Sequence, residues 1–170
     1  MSKVYKPTEV ISRVTGYKVF LAGSIENDTA EKWQDSVTEE LLKIPGVNIS
    51  IFNPRRDNWD PSWQQDIHNA KFKEQVEWEL EALEAADQII MYFDPSTKSP
   101  ISLLELGLHA KTKKMLVCCP AGFWRKGNVD IVCLKYKIPN FDSIQDLLEF
   151  FKDYLDIKNS IESKYINYKR

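Results

Sequence analysis

The sequence predicts an α/β protein in which a parallel sheet is covered by helices on both faces. Short apolar, β-rich runs alternate with helical stretches along the chain, and such alternation builds right-handed βαβ units. Residues 88–93 form a nearly continuous apolar run, as a central parallel strand buried on both faces requires. Polar, proline-containing loops follow several predicted strands. These observations indicate a doubly wound sheet.

The first half of the chain supplies two strands, each followed by a helix. Residues 17–22 are a β-rich run that ends at Gly23-Ser24, which is typical of a buried strand. Helical spacing over 29–43 ends at a Pro-Gly pair, and 47–52 alternate as a second strand. The next helix is predicted over about 70–86. Its apolar stripe consists of Phe72, Val76, Leu80 and Leu83.

The second half continues the alternation. The central strand at 88–93 is followed by a helix over about 101–113 and by a strand at 115–119. Residues 131–134 are a candidate short fifth strand, and residues 142–155 show the apolar spacing of an amphipathic helix.

Four to five strands in 170 residues fit a flavodoxin-like, three-layer α/β/α sandwich in a single domain, 1–170. The core spans about 17–155. The polar tail, 156–170, is expected to be partly disordered or packed on a partner chain. Such sheets bind ligands outside the carboxyl ends of their strands, so the candidate site lies at that edge. The loops that leave from it are Gly23-Ser24, 53–63, 96–100 and 121–128.

Composition excludes several classes of protein. Lys and Arg total 23 and Asp and Glu total 25, a net charge of −2, which disfavours a nucleic acid polymer as partner. No apolar run approaches the roughly 20 residues of a membrane span, and the chain begins without the apolar core of a signal peptide. Three cysteines, an odd number, indicate reduced thiols and a cytoplasmic protein.

The sequence carries no signature of metal or cofactor chemistry. His68 and His109 are far apart and belong to no metal-ligand pattern. No Gly-rich dinucleotide fingerprint, P-loop or nucleophile elbow occurs. The adjacent Cys118 and Cys119 favour core positions over redox pairing. We therefore expect neither a metal nor a cofactor.

Glu105 is the first candidate catalytic residue. It follows the central strand at the ligand-binding edge, where a rigidly held carboxylate could act as a nucleophile. The alternative is structural, because Ser102-Leu-Leu-Glu105 matches a capping box, in which the Glu side chain only accepts a backbone hydrogen bond. The spacing leaves both interpretations open.

Glu79 is the second candidate. It belongs to a run of glutamates on one predicted helix, and a solvated acidic face explains most members of such a run. It directly precedes Leu80 of the apolar stripe, however, and would therefore lie at the border of the buried face.

The loop at 53–63 combines arginines, an aspartate and tryptophans. Arginine binds phosphate or carboxylate, and tryptophan stacks on a planar base. Alternatively, the tryptophans pack the loop and the arginines pair with its aspartates. Gly23-Ser24 after the first strand would let a ligand approach the backbone closely. The loop residues in question are Arg55, Arg56, Asp57, Trp59 and Trp63.

Several short motifs occur in a characteristic succession. They are Val-Phe-Leu-Ala-Gly-Ser at 19–24, Asn-Pro-Arg-Arg at 53–56, Trp78-Glu79 followed by Ala86-Asp87, then Ser99, and Glu-Leu-Gly at 105–107. In this order they resemble the nucleoside 2-deoxyribosyltransferases and their relatives, the 2'-deoxynucleoside 5'-phosphate N-glycosidases. The resemblance covers roughly residues 17–135.

The resemblance implies that Glu105 is the nucleophile and that Glu79 is the acidic residue near the base. Ser99 corresponds to the serine of the phosphate-accepting branch. Asn128 is the best match for a residue that reaches the pocket of a neighbouring subunit in a homo-oligomer. With the loop residues, the predicted substrate contacts are Gly23, Ser24, Arg56, Asp57, Trp59, Ser99 and Asn128.

The implied reaction cleaves the N-glycosidic bond of a (deoxy)nucleoside through a covalent glycosyl-glutamate, with transfer to another base or, in a hydrolase, to water. Two features depart from the family pattern: Phe20 replaces a tyrosine that steadies the nucleophile, and residues 101–104 replace glycines. A catalytically silent nucleotide-binding module is therefore an alternative. A flavodoxin-like electron carrier is disfavoured, because the loop after the first strand lacks a run of hydroxyl residues for a flavin phosphate.

A nucleoside is favoured over its 5'-monophosphate as substrate. Glu26 and Asp28 follow Gly23-Ser24 and would repel a phosphate seated there, an effect that falls with distance and salt. The opposing cations on loops at the same edge are Arg55, Arg56, Arg125 and Lys126.

Overall fold

The computed structural model describes residues 1–25, 32–56, 60 and 62–168, apart from the side chains of Glu162 and of residues 164–168. From β2 onward strands and helices alternate, as the sequence predicts. In chain order the elements are β1 (Lys3–Tyr5), β2 (Tyr17–Gly23), α1 (Trp33–Leu42), β3 (Ile49–Phe52), α2 (Ala70–Ala85), β4 (Gln88–Tyr92), α3 (Pro100–His109), β5 (Met115–Cys118), α4 (Lys126–Tyr136), β6 (Asn140–Phe141) and α5 (Ile144–Tyr168).

The described strands form one parallel sheet of six strands in the order β1-β3-β2-β4-β5-β6. Without β1, this is the 2-1-3-4-5 order of flavodoxin-like sheets. The predicted fold class is confirmed, with six strands instead of four or five. The chain leaves β2 for β3 on one side and returns to β4 on the other. The crevice between the carboxyl ends of β2 and β4 is therefore the topological switch point.

Apolar layers on both faces of the sheet form the core. Successive strand residues point to opposite faces. On one face α2, α3 and α4 pack through residues such as Trp78, Leu106 and Val129. On the other face α1 and α5 pack through residues such as Val37 and Phe151. This arrangement confirms the three layers and places α2 and α3 on the same face.

The two outermost strands, β1 and β6, are absent from the sequence prediction. They have 3 and 2 residues respectively, whereas an alternating pattern needs about four residues to show. β1 pairs with β3, and β6 pairs with β5, so each extends the sheet by one strand at an edge.

The predicted fifth strand at 131–134 is wrong, because these residues lie within α4. Ile131 and Leu134 are 69% and 82% exposed, whereas Val129 and Cys133 are buried. Buried positions four residues apart belong to a helix that rests one face on the sheet, while a strand buries alternate residues.

Helix α2 is rotated relative to its predicted apolar stripe. Leu80 is 43% exposed. The large indole of Trp78 faces the core instead, and its N–H donates to the carbonyl of Glu9 at 2.9 Å. The rotation turns a polar residue, Gln75, inward. The buried residues of α2 are Gln75, Trp78, Ala82 and Leu83.

The C-terminal segment is helical where the sequence suggested a partly disordered polar tail. α5 runs from Ile144 to Tyr168. Its first half packs on the sheet through residues that include Leu147 and Leu155, and its continuation exposes Ile157. In the described part of the chain, no helix is long and apolar enough to cross a membrane.

Candidate active site

Three buried hydroxyl groups lie in the crevice between the carboxyl ends of β2 and β4. Ser24 follows β2, and Thr97 and Ser99 belong to the loop between β4 and α3. Thr97 Oγ1 donates to Ser24 Oγ at 2.9 Å and lies 2.7 Å from Ser99 Oγ, which also bonds Ser24 Oγ. The amide of Asp94 donates to Ser24 Oγ at 2.9 Å. The cluster therefore ties the loop after β4 to the end of β2.

Gly23 permits the close approach of β2 and β4 at this edge. Its φ is +138°, and a Cβ atom there would collide with the carbonyl oxygen of Tyr92. The amide of the next residue, Ser24, donates to that carbonyl at 3.0 Å. The close backbone contact at this glycine is therefore with β4.

The same loop determines where α3 begins. Ser99 is the N-cap residue, with a left-handed φ of 46°, and Pro100 is the first helical residue, a position at which proline costs no hydrogen bond. Ser102 therefore lies inside the helix, and the capping-box interpretation of Ser102 and Glu105 is wrong. Glu105 lies in the second turn of α3, with 8% of its surface exposed.

Glu105 is a buried carboxyl, and none of the described residues donates a hydrogen bond to it. Burial and the negative charge of Glu79 raise its pKa from 4.5 to about 8. Phe20 is 1% exposed in the core on the same face of the sheet and supplies no hydroxyl. The ionised form of Glu105 is therefore costly, and a nearby positive charge would stabilise it.

Glu79 is a partly buried side chain of α2, on the same face of the sheet as Glu105. Gln75, one helical turn earlier, donates from Nε2 to Glu79 Oε1 at 2.7 Å. Burial raises the pKa of Glu79 from 4.5 to about 7, and the hydrogen bond limits the rise.

The two glutamates form an interacting pair, since the charge of Glu79 contributes to the raised pKa of Glu105. Protons leave such a pair in two steps that belong to both groups together. Between about pH 7 and pH 8 the pair holds about one proton, so that one carboxyl is ionised while the other is protonated. A nucleophile beside a general acid needs this distribution.

The arginines of the loop after β3 are engaged by protein groups. Arg55 is 6% exposed, and its Nε donates to Gln34 Oε1 at 3.3 Å. The guanidinium of Arg56 lies 5.1 Å from the ring centroid of Trp63, so this tryptophan packs the loop, as the structural alternative expects. Four residues that the sequence predicts near the ligand lie outside the described part: Glu26, Asp28, Asp57 and Trp59.

Asn128 lies in the first turn of α4 and is exposed, because that helix begins within the predicted loop at 121–128. Its neighbour Lys126 pairs with Asp130 at 3.2 Å and with Asp142 at 3.1 Å. The charge of Lys126 is therefore already balanced by carboxylates.

Thiol and metal chemistry have little support at this site. Cys118, Cys119 and Cys133 are free and buried, and burial raises their pKa values to about 12, 12 and 11. Thiols with such pKa values are poor nucleophiles. Within the described ranges, no group of three or more His, Cys, Asp or Glu side chains could hold a metal ion.

Two residues around the site are missing from the sequence prediction. Thr97 lies two residues before Ser99. Its position in a loop at the carboxyl edge of the sheet could have indicated that it belongs to the site. Gln75 precedes Glu79 by four residues, the spacing of side chains that meet on a helix. The surrounding glutamates of α2 hide that signal.

These features define a class of protein, namely α/β proteins with a flavodoxin-like fold and two interacting glutamates, one buried and one partly buried, on one face of the sheet. The chain belongs to the nucleoside 2-deoxyribosyltransferase-like family, whose sequence pattern matches residues 16–123. All motifs that carry the resemblance lie within this match, whereas Asn128 lies beyond it.

One solved structure with this fold is that of a conserved protein from Enterococcus faecalis V583. It is similar with a TM-score of 0.58 and 16% sequence identity, over 82% of this chain and 99% of that one. At this identity the similarity shows the fold alone. No curated protein matches the chain.

Proposed function

We propose that the protein cleaves the N-glycosidic bond of a (deoxy)nucleoside by a retaining double displacement and transfers the sugar to another base. The observation that carries the proposal is the buried pair of Glu105 and Glu79, whose pKa values are raised to about 8 and about 7. Family membership supports the substrate class. A pair of interacting carboxyl groups is the usual machinery of glycosidic cleavage.

In the first step a carboxylate oxygen of Glu105 bonds to the anomeric carbon while the bond from that carbon to the base nitrogen breaks. Glu79 gives its proton to the departing base. The transition state carries positive charge on the sugar, and this charge stabilises the ionised form of Glu105 that burial disfavours. The charge that develops as the bond breaks therefore favours the arrangement in which Glu105 is ionised and the proton is on Glu79.

In the second step the nitrogen of an acceptor base attacks the anomeric carbon, and the ester bond to Glu105 breaks. The acceptor gives a proton to Glu79, which restores the starting state. If water is the acceptor, the same two steps describe a hydrolase. The experiment is chromatography of products from a panel of deoxynucleosides and their monophosphates, with and without a free second base. A new nucleoside indicates transfer, and free sugar indicates hydrolysis.

A catalytically silent nucleotide-binding module is the second candidate. It is favoured by Phe20, which supplies no hydroxyl, and by the absence of a described hydrogen-bond donor to Glu105. The same panel separates the candidates when it is combined with calorimetry. Heat of nucleoside binding without base release would indicate the silent module.

A nucleoside is proposed over a nucleotide. The hydroxyls of Ser24, Thr97 and Ser99 bond one another, so a phosphate would have to displace these bonds. Lys126 is neutralised by two aspartates. Arg56 remains the predicted phosphate contact, although its guanidinium packs over a tryptophan ring.

A homo-oligomer is also proposed, and the outward faces of α3 and α4 support it. Ile101, Leu104 and Leu108 are 59%, 59% and 57% exposed, and Ile131 and Leu134 are more exposed still. The two helices are neighbours on one face of the sheet, and monomers rarely expose so large an apolar surface. The i, i+3, i+7 spacing on α3 suits antiparallel pairing with a second copy about a two-fold axis near Leu104.

Light scattering tests this oligomer. Leu104→Glu is expected to give a monomer, because it places a charge at the centre of the apolar face. Leu42→Glu, a change at a 43% exposed leucine of α1 on the opposite layer, is the matched control and should leave the mass unchanged. A monomeric variant with full activity would argue against a pocket shared through Asn128.

We further propose that the chain works as a single domain in the cytoplasm. One sheet with an apolar layer on each face supports a single folding unit. The three free, buried thiols are consistent with a reducing compartment.

A further inference from the structure

Gln75 connects Glu79 to the rest of the protein. It is 5% exposed. Its Nε2 donates to Glu79 Oε1 at 2.7 Å and to the carbonyl of Pro54 at 3.0 Å. A side-chain amide nitrogen carries two N–H groups, so these two bonds use both donors.

The Pro54 carbonyl is a well-held point in the turn that follows β3. In this turn the amide of Arg55 donates to Asn53 Oδ1 at 3.0 Å. The side chain of Arg55 bonds Gln34 of α1 at 3.3 Å, and Lys6 Nζ donates to the carbonyl of Arg55 at 3.1 Å. Contacts from α1 and from the N-terminal segment therefore brace the turn against which Gln75 rests.

The orientation of the Gln75 amide follows from its neighbours. The Glu79 carboxylate and the Pro54 carbonyl are both acceptors, so the nitrogen of the amide has to face them. Gln75 Oε1 is then buried without a partner among the described residues. An unpaired buried acceptor costs about 1–3 kcal/mol, which an apolar side chain of equal length would avoid. The bond to the buried Pro54 carbonyl offsets this cost, since an apolar side chain would leave that carbonyl without the Gln75 donor. The bond to Glu79 is the second contact that the amide nitrogen makes.

We propose that Gln75 is a positioning residue that holds the carboxyl of Glu79 for proton transfer to the departing base. The inference rests on the proposed function for the use of that proton. The contact between the two side chains does not depend on it, so the contact and the reaction can be tested separately.

The test uses Gln75→Met, which keeps the length of the side chain and removes both donors. We expect kcat to fall by about 10- to 100-fold, since misplaced catalytic groups lose rate on this scale, with little change in KM. The pH profile of kcat/KM should move to higher pH, because the lost bond is the one that lowers the pKa of Glu79. Tm should fall modestly, because the buried Pro54 carbonyl loses the Gln75 donor; the rate and the pH profile, which a purely structural role would not move, therefore carry the test.

The matched control is Gln88→Met. Gln88 is also buried, at 7% exposure, but it lies at the amino end of β4, where its Nε2 donates to the carbonyl of Lys114. The same chemical change at this distant end should leave kcat and the pH profile as they are in the wild type.

An NMR titration of the glutamate side-chain carboxyls, with the Glu79 signal assigned through Glu79→Gln, tests the contact between Gln75 and Glu79 without relying on activity. Gln75→Met should raise the apparent pKa of Glu79. An unchanged pKa overturns the inference even if activity falls, and so does a raised pKa with an unchanged kcat and an unchanged pH profile. If the wild type releases no base from any substrate, the proposed function fails, and the titration alone decides whether Gln75 holds Glu79.

Discussion

Glutamates on a single helix, α2, occupy two different environments. Four of them face outward and are exposed: Glu74, Glu77, Glu81 and Glu84. Of these, Glu77 forms an ion pair with Lys73 at 3.5 Å. Glu79 is turned inward and bonded by Gln75. A surface ion pair stabilises a protein by up to about 1 kcal/mol. The rise in the pKa of Glu79 from 4.5 to about 7 corresponds to a cost of about 3 kcal/mol for its ionised form. Burial, more than residue type, thus separates a solvated face from a candidate acid.

The comparison extends to the cavities of the molecule. Glu74, Glu77 and Glu81 line an open cavity of about 350 Å³, and another of about 370 Å³ lies near the amino ends of the strands beside Tyr17 and Lys158. Neither is lined by the buried pair. The candidate site is defined by the interacting carboxyls on the helices that flank the edge where this fold binds ligands.

The sharpest test of the difference between the two environments is Glu105→Gln. Removal of the proposed nucleophile should lower kcat/KM for base release by at least about a thousandfold, the scale reported for removal of catalytic nucleophiles. The matched change on the exposed face, Glu77→Gln, should leave kcat/KM nearly unchanged. Steady-state rates of both variants decide it, and retained activity in Glu105→Gln would remove this residue from the mechanism.

Glu79→Gln should have the next largest effect. Loss of a general acid lowers the rate by about 10²–10⁴-fold, and the loss should be far smaller for substrates whose leaving groups need no proton. The measurement is the ratio of kcat/KM in Glu79→Gln to that in the wild type, once for a substrate with an ordinary base and once for a substrate with an activated leaving group. Equal losses on both substrates would exclude the acid role.

The stability of the protein should depend on pH through the buried pair. Both pKa values in the folded state lie above the ordinary 4.5, at about 7 for Glu79 and about 8 for Glu105. The folded protein therefore keeps protons that the unfolded chain releases. The free energy of unfolding should fall as pH rises from about 4.5 to about 8, and level off above that range.

Urea unfolding of Glu105→Gln at pH 5 and at pH 8.5 checks this linkage. The variant should lose less stability between the two pH values than the wild type, whereas Glu77→Gln should follow the wild type. A variant with the wild-type pH dependence would show that Glu105 ionises in the folded state as freely as it does in the unfolded chain.

The smallest effect is expected when a 5'-phosphate is added to the nucleoside substrate. The proposed preference for nucleosides predicts a kcat/KM for the 5'-monophosphate that does not exceed that of the nucleoside, and Arg56→Ala should change this ratio only a few-fold. Competition between the two substrates measures the ratio. A tenfold preference for the monophosphate that is lost in Arg56→Ala would reverse the assignment.

The order of elements could be predicted from the sequence because long apolar runs and helical spacing are local signals. The strands β1 and β6 could not, since their stability comes from pairing with β3 and β5. For α4, apolar residues at 131–134 imitate a strand, although two of them face outward. Tertiary packing overrides the local pattern there.

The two glutamates of the candidate site could be predicted from their motifs and positions in the sequence. Their burial and their hydrogen-bond partners could not be predicted in this way. Whether Glu105 caps its helix depends on where α3 begins, and the left-handed Ser99 moves that start three residues ahead of Ser102. The role of Gln75 depends on the rotation of α2, which Trp78 sets through a long-range contact with Glu9. Such contacts join distant parts of the chain and leave no local pattern.

The proposed mechanism requires a covalent bond between the sugar and Glu105, and mass spectrometry can detect that bond. The protein is incubated with a nucleoside that has fluorine at the 2'-carbon of its sugar and a good leaving group as its base. With such a probe the covalent intermediate forms faster than it breaks down. After digestion, one sugar should be attached to the peptide that contains Glu105, and no such adduct should form in Glu105→Gln. Release of base from the probe without any adduct, or an adduct on another residue, would contradict it.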